Sequence, residues 1–314
     1  MQIKTIEKNI KNKMNEWLST IEDETLRKDV KDNLLVKGGC IASMLINEPV
    51  NDYDVYLMDM DVCKRIALYY TREKGITVFD GREKDLLITA YNEEYEEVNY
   101  EEGKLAINHN NSHAIALRTL HQDQIKLYFH GSAGLKIVED TGNEALNYTP
   151  LYYSPNAISL SNEVQIILRF WGTPEQIDKT FDFVHATNYF TFKDGLVRNL
   201  EAIESILTKR LKYKGSSYPL TSIIRAKKFI KRGFGISAGE LLKMMFQISQ
   251  LDLTDPDVLE EQLIGVDVAY FDLIITALRN KMDSDNTFKI SNEFFNGLID
   301  RIFNEDIEGQ DTDN

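Results

Sequence analysis

The stretch LVKGGCIASMLINEPVNDYDVYL, Leu35 to Leu57, restricts the fold more than any other part of the chain. Gly38 and Gly39 follow the apolar Leu34, Leu35 and Val36 and precede Cys40, Ile41, Ala42, Met44, Leu45 and Ile46, whose spacing predicts a short helix. Glycine at such a junction lets the backbone come close to a ligand. A helix starting just after it aims free N–H groups and its positive dipole end at an anion such as a triphosphate. Asp52-Tyr53-Asp54-Val55-Tyr56-Leu57 alternates as a strand does, so Asp52 and Asp54 share one face. Two carboxylates on one face repel unless a cation lies between them, and hard oxygen ligands suit Mg²⁺.

This arrangement resembles motif A of the polymerase-beta-like nucleotidyltransferases, in particular tRNA CCA-adding enzymes and bacterial poly(A) polymerases. That branch carries Arg-Asp in the helix where this chain has Ala42 and Ser43. The resemblance implies an α+β fold: a nucleotidyltransferase-type mixed sheet with flanking helices and an inserted β-rich segment, followed by an all-helical C-terminal domain. It also implies transfer of a nucleoside monophosphate from an NTP to a hydroxyl, with two Mg²⁺ or Mn²⁺ ions meeting the charge at phosphorus. On this reading Asp52 and Asp54 ligate the metals, and Gly38 and Gly39 hold the triphosphate with Ser43 as a further donor. A third carboxylate projects from a neighbouring strand in such folds. Asp182, in the apolar-acidic-apolar FDFV, is the expected residue, with Asp178 the alternative. His185 and Asn188, just beyond, are expected at the nucleotide.

Composition sets the setting. A chain of 314 residues is long enough for a large core and one or two domains. No apolar run approaches a membrane span, and the N-terminus mixes charges with apolar residues, so no membrane partner and a cytoplasmic location are expected. Cys40 and Cys63 are too few for a disulfide framework. HNNSH, His109 to His113, has turn composition and no third metal ligand.

Net charge is −14, which argues against a polyanion partner until its distribution is considered. Between Lys193 and Lys243 stand twelve Lys/Arg against four Asp/Glu. A basic segment inside an acidic chain points to nucleic acid. YPLTSIIRAKKFIKRGFGI within it is similar to the helix that follows the catalytic domain in CCA-adding enzymes and poly(A) polymerases, matching at Arg225, Ala226, Phe229, Gly233 and Phe234. Arg225, Lys228 and Arg232 are accordingly expected to touch RNA.

Residues 1–195 are read as the catalytic domain, with an insertion at about 80–150, residues 196–308 as a helical domain and 309–314 as an acidic tail. Helices are predicted over Ile3–Leu18, Thr25–Leu34, Asp61–Lys74 and Pro174–Lys179, then over Leu196–Leu211, Leu220–Arg232, Ala238–Ile248, Asp255–Leu263, Ala269–Met282 and Asn292–Phe303. Strands are predicted over Ile76–Phe79, Leu105–Ile107, Ala114–Leu117, Gln124–Phe129, Val164–Phe170 and Phe181–Phe192. The region around Asp182 is similar to nucleotidyltransferase-fold proteins of large DNA viruses and tailed phages. The expected function is nucleotidyl transfer, ATP among the substrates, to a tRNA-like 3′ end. Nucleotidylation of a protein or small molecule is the alternative, and a viral binding protein that keeps the fold without turnover is another.

Overall fold

The computed structural model describes residues 2–82 apart from 73 and 75, the segments 99–101, 104–106, 124–129, 135–137 and 148–253, and positions 255, 258, 262, 291, 293, 296, 297 and 300. The expected strand Ala114–Leu117, His109, His113, most of the three last predicted helices and the acidic tail lie outside the described residues.

The chain opens with α1 (Ile3–Ser19) and α2 (Glu24–Asn33). Of the predicted apolar stripe on α1, Ile6, Ile10, Met14, Trp17 and Leu18 are buried. Asp23 starts α2 by accepting the Leu26 N–H. Leu34, predicted as the end of that helix, begins β1 (Leu34–Lys37) instead. Four consecutive buried residues, LLVK, suit a strand covered on both faces better than a helix end. Gly38 then turns the chain into α3 (Gly39–Leu45), and β2 (Tyr53–Leu57) returns antiparallel to β1. Next come α4 (Met60–Thr71) and β3 (Ile76–Asp80), followed by the short strands β4 (Asn99–Glu101), β5 (Lys104–Ala106), β6 (Ile125–Phe129) and β7 (Leu135–Lys136).

Two strands that the sequence reading did not place, β8 (Pro150–Ser154) and β9 (Ala157–Leu160), lead into β10 (Val164–Trp171). β10 runs parallel to β2, with Gln165 opposite Asp54. After α5 (Pro174–Asp178) the chain does not return as one long strand. Residues 182–188 are irregular around a 3₁₀ turn at Val184–Ala186, and only β11 (Tyr189–Thr191) rejoins the sheet, against β1. The cause is a competing partner: Lys214 N–H donates to the Asp182 carbonyl at 2.8 Å and Val184 N–H to the Lys212 carbonyl at 3.0 Å. Those contacts pull the segment toward residues 212–214 and off the sheet.

The predicted helix Leu196–Leu211 is likewise shorter. β12 (Gly195–Val197) precedes α6 (Leu200–Leu207), which Asn199 caps, and Lys209 at φ 48° turns the chain into β13 (Arg210–Leu211). α7 (Pro219–Lys231) carries proline in its first turn, where the missing N–H costs nothing. β14 (Gly235–Ile236) and α8 (Ala238–Ile248), capped by Ser237, follow.

The main sheet has eight strands in the order β12-β11-β1-β2-β10-β9-β8-β7. Its two faces have different chemistry. Leu34, Val36, Val55, Leu57, Val164, Ile166 and Leu168 point into one continuous core with α1, α2, α3 and α4. The alternate positions, among them Leu35, Lys37, Asp54, Tyr56, Gln165, Ile167 and Arg169, project to the opposite face. The α1–α4 core is locked where the Trp17 indole N–H donates to the Tyr70 hydroxyl at 2.8 Å, both residues being buried. Truncating Trp17 to alanine leaves a large cavity and an unpaired hydroxyl, so Trp17→Ala is expected to lose about 3–5 kcal/mol in urea unfolding. Trp17→Phe should lose clearly less.

Candidate functional site

Part of this opposite face, beside the patch where Ile177 of α5 covers Leu35 and Tyr56, forms the floor of a cavity of about 1020 Å³. Gly38, Gly39, Asp52 and Asp54 line one part, Gln165, Ile167, Arg169 and Asn156 continue along the floor, and Asp182, His185, Tyr218, Arg225 and Phe229 form part of the wall. Seven of the residues singled out in the sequence, Gly38, Gly39, Asp52, Asp54, Asp182, His185 and Arg225, therefore meet around one space.

Gly38 is fixed twice over. Its φ of 97° is one that side chains rarely adopt, and a Cβ built there would stand 2.6 Å from Asp54 Oδ2. The backbone turn and the carboxylate are in contact because the residue between them has no side chain. At Gly39 a Cβ would meet nothing within 4 Å, so that position is not sterically bound to glycine.

Crowding around the pair shows in its protonation. Burial pushes the Asp54 carboxyl up to about 8, and the neighbouring Asp52 charge adds to the rise, while Lys228 and Arg225 oppose it. Asp52 is also raised, by burial first and by Glu163, against the pull of Lys228. A divalent cation would relieve both desolvation and repulsion, and the oxygen donors fit Mg²⁺ or Mn²⁺. Among the described residues no group of three Asp, Glu, His or Cys converges as a metal site.

Asp182 reaches the cavity wall, but from the irregular segment and not from a strand beside β2. Its carboxylate is 3% exposed, and Arg225 Nη1 lies 2.7 Å from both of its oxygens. Asp178, the alternative third carboxylate, is paired with Lys37 at 2.7 Å. Lys37 is fully buried, rests against the Phe181 and Tyr189 rings, and has its ammonium pKa lowered by burial in spite of Asp178.

His185 is 1% exposed and packs edge-on against Phe229 with ring centroids 4.2 Å apart, next to Phe183 and Phe234. Burial, with Arg232 adding to it, drops its pKa to about 4, so the ring is neutral at pH 7. Neither ring nitrogen has a hydrogen-bond partner among the described residues.

Three expected site residues do structural work behind the wall. The Ser43 hydroxyl accepts from Arg232 Nη2 at 2.9 Å and is buried, and Arg232 is also paired with Glu48. Asn188 is 1% exposed and accepts the Asn199 N–H through Oδ1 at 3.0 Å. None of the three lines the cavity. Lys228 acts on the aspartate pair through its charge.

Two residues that sequence reasoning missed stand on the floor. Gln165 is in register with Asp54, and its amide nitrogen donates to Ser159 Oγ at 3.1 Å. Arg169 is 4% exposed, stacks on Tyr218 and Phe170, and donates to the Tyr218 hydroxyl. The signal for both was the alternation of Val164-Gln-Ile-Ile-Leu-Arg-Phe170, where a polar side chain on an otherwise apolar strand marks the open face.

The raised Asp54 pKa predicts how stability varies with pH in metal-free buffer. The unfolded carboxyl ionises near its ordinary value of about 4, whereas the folded one keeps its proton to about 8. The folded state binds more protons across that window, so stability falls as pH rises through it. Asp54→Asn removes the liability. With EDTA present, its Tm relative to wild type should rise between pH 5 and pH 9.

Comparison with solved structures gives a Thermotoga maritima CCA-adding enzyme complexed with tRNA at 11% identity and TM-score 0.35, covering 95% of this chain and 62% of that one. A CCA-adding enzyme in an apo form is similar at 12% identity and TM-score 0.38, covering 96% and 59%. The Bacillus stearothermophilus CCA-adding enzyme in complex with CTP follows at 12% and 0.33, covering 84% and 52%. The chain thus spans about three fifths or less of the length of these enzymes. No curated protein matches it in sequence. The Gabija anti-defense 2 family model matches residues 8–209, well over half of the sequence, and the chain belongs to that family.

Proposed function

We propose that this protein binds a nucleoside triphosphate with Mg²⁺ or Mn²⁺ at Asp52 and Asp54 and transfers its nucleotidyl group to an acceptor hydroxyl, foremost an RNA 3′ end. The observation that carries this reading is the desolvated carboxylate pair held against the Gly38 turn at the floor of a cavity wide enough for a nucleotide. A bound divalent ion would supply charge neutralisation at the α-phosphorus. The chain's own part is to fix the two carboxylates on one side of β2 and to bring a backbone turn within contact of them. Lys228 adds positive potential at both aspartates and Arg225 at Asp54. In the transfer, the acceptor oxygen bonds to the α-phosphorus, the bond to the bridging oxygen breaks, pyrophosphate leaves and the hydroxyl proton passes to solvent. The family's name supports an anti-defense setting for this activity.

A second reading, with a protein or small molecule as acceptor, draws on the state of the basic segment. Arg225 is paired with Asp182, Arg232 and Lys209 with Glu48, Lys212 with Glu201 and Lys243 with Glu240. Each pair removes a cation from the set available to phosphates, which weakens the case for a long RNA track.

Incubation with each labelled NTP, Mg²⁺ or Mn²⁺, and either pooled tRNA or host protein extract separates the acceptors. Label is expected in a covalent product and should fall at least about 100-fold in Asp52→Ala/Asp54→Ala, the scale on which removal of a transition-state charge partner acts. Equal labelling by that double variant would sink the mechanism.

A further inference from the structure

We infer that this is a one-cation site, because the strand beside the aspartate pair presents an amide where a second ion needs a carboxylate. The inference rests on the nucleotide-binding reading of Asp52 and Asp54 and concerns how many ions that site holds. β10 runs parallel to β2 and sets Gln165 in register with Asp54, and Gln165 lines the same cavity as both aspartates. Residues in register on adjacent strands project to the same face, close enough for their side chains to share a ligand. Position 165 is therefore where the sheet itself would supply a third anionic oxygen.

Glutamine supplies none. Its amide nitrogen is engaged with Ser159 Oγ, which leaves one neutral carbonyl oxygen as acceptor. The other residues on that face of the flanking strands are Ile167 and Arg169 on β10 and Leu35 and Lys37 on β1, and none is acidic. Asp182, the remaining carboxylate on the wall, has both oxygens against Arg225. Two dications about 3.5–4 Å apart repel strongly and are held together only by anionic oxygens that bridge or flank them. Asp52 and Asp54 with the phosphates satisfy one ion. Among the described residues no third Asp, Glu, His or Cys converges on the pair, and Glu163, whose charge reaches Asp52, is paired with Lys13.

The consequence is an uncoupling of binding from turnover. Capture of the metal–triphosphate needs only the aspartate pair, whereas rapid deprotonation of an acceptor hydroxyl draws on the second ion. Wild-type protein accordingly holds nucleotide well and transfers it slowly. Gln165→Glu restores the missing oxygen at a position whose volume and strand register are unchanged.

Electron paramagnetic resonance with Mn²⁺ and a non-hydrolysable ATP analogue tests this on the full chain. Wild type is expected to bind one Mn²⁺ per protein–nucleotide complex, and Gln165→Glu two, with the spin coupling of a close Mn–Mn pair. Two ions in wild type would overturn the inference, whatever the variant does. A folded Gln165→Glu protein, judged by its melting curve, that still binds one ion would overturn the role given to position 165. Nucleotide bound with one Mn²⁺ but no transfer to any acceptor leaves the inference standing and removes the transferase reading. No Mn²⁺ and no nucleotide in wild type removes both.

Discussion

Contact between the Gly38 backbone and the Asp54 carboxylate is the constraint on which the site depends. It requires β1 and β2 to pair antiparallel with Lys37 opposite Asp54, a positive φ at position 38, and a helix that starts at once so that the chain clears the space above the carboxylate. A side chain at position 38 would break all of this at a single point. The cost of holding Asp54 in so crowded a place appears as a carboxyl that resists ionisation, a strain on folding that a bound cation converts into affinity.

Around that contact the protein divides its charges into two sets. One set is left open to the cavity, namely Asp52 and Asp54. The other is neutralised in pairs that hold the wall: Asp182 with Arg225, Asp178 with Lys37, and Glu48 with Arg232. Each pair joins elements that are distant in the chain or in the fold. Here they tie the segment after β10 and the α7 helix to the sheet, and the aromatic group of Phe183, His185, Phe229 and Phe234 fills the seam between them.

Local signals in the sequence were sufficient for the front half of the site. The turn at Gly38, the helix after it and the same-face aspartates all follow from neighbours within a few residues, and so do the buried stripe of α1 and the proline start of α7. Asp182 marks where such reasoning ends. FDFV alternates as a strand would, yet its backbone bonds go to residues 212–214, a partner that no local pattern reveals. Gln165 failed for the opposite reason. Its strand was recognised, but only the parallel register with β2 shows that it stands beside Asp54.

The wall also has a direction in time. Arg225 and Phe229 lie on α7, far along the chain from the aspartates they enclose. A polypeptide made from its N-terminus exposes β1, β2 and the early helices first, and domains tend to fold as they emerge. The nascent sheet thus carries Asp52 and Asp54 in open water, where their charges are cheap to keep. β10 and then α7 join the cavity after them, so the pair is enclosed in steps by elements made later than the strand that carries it.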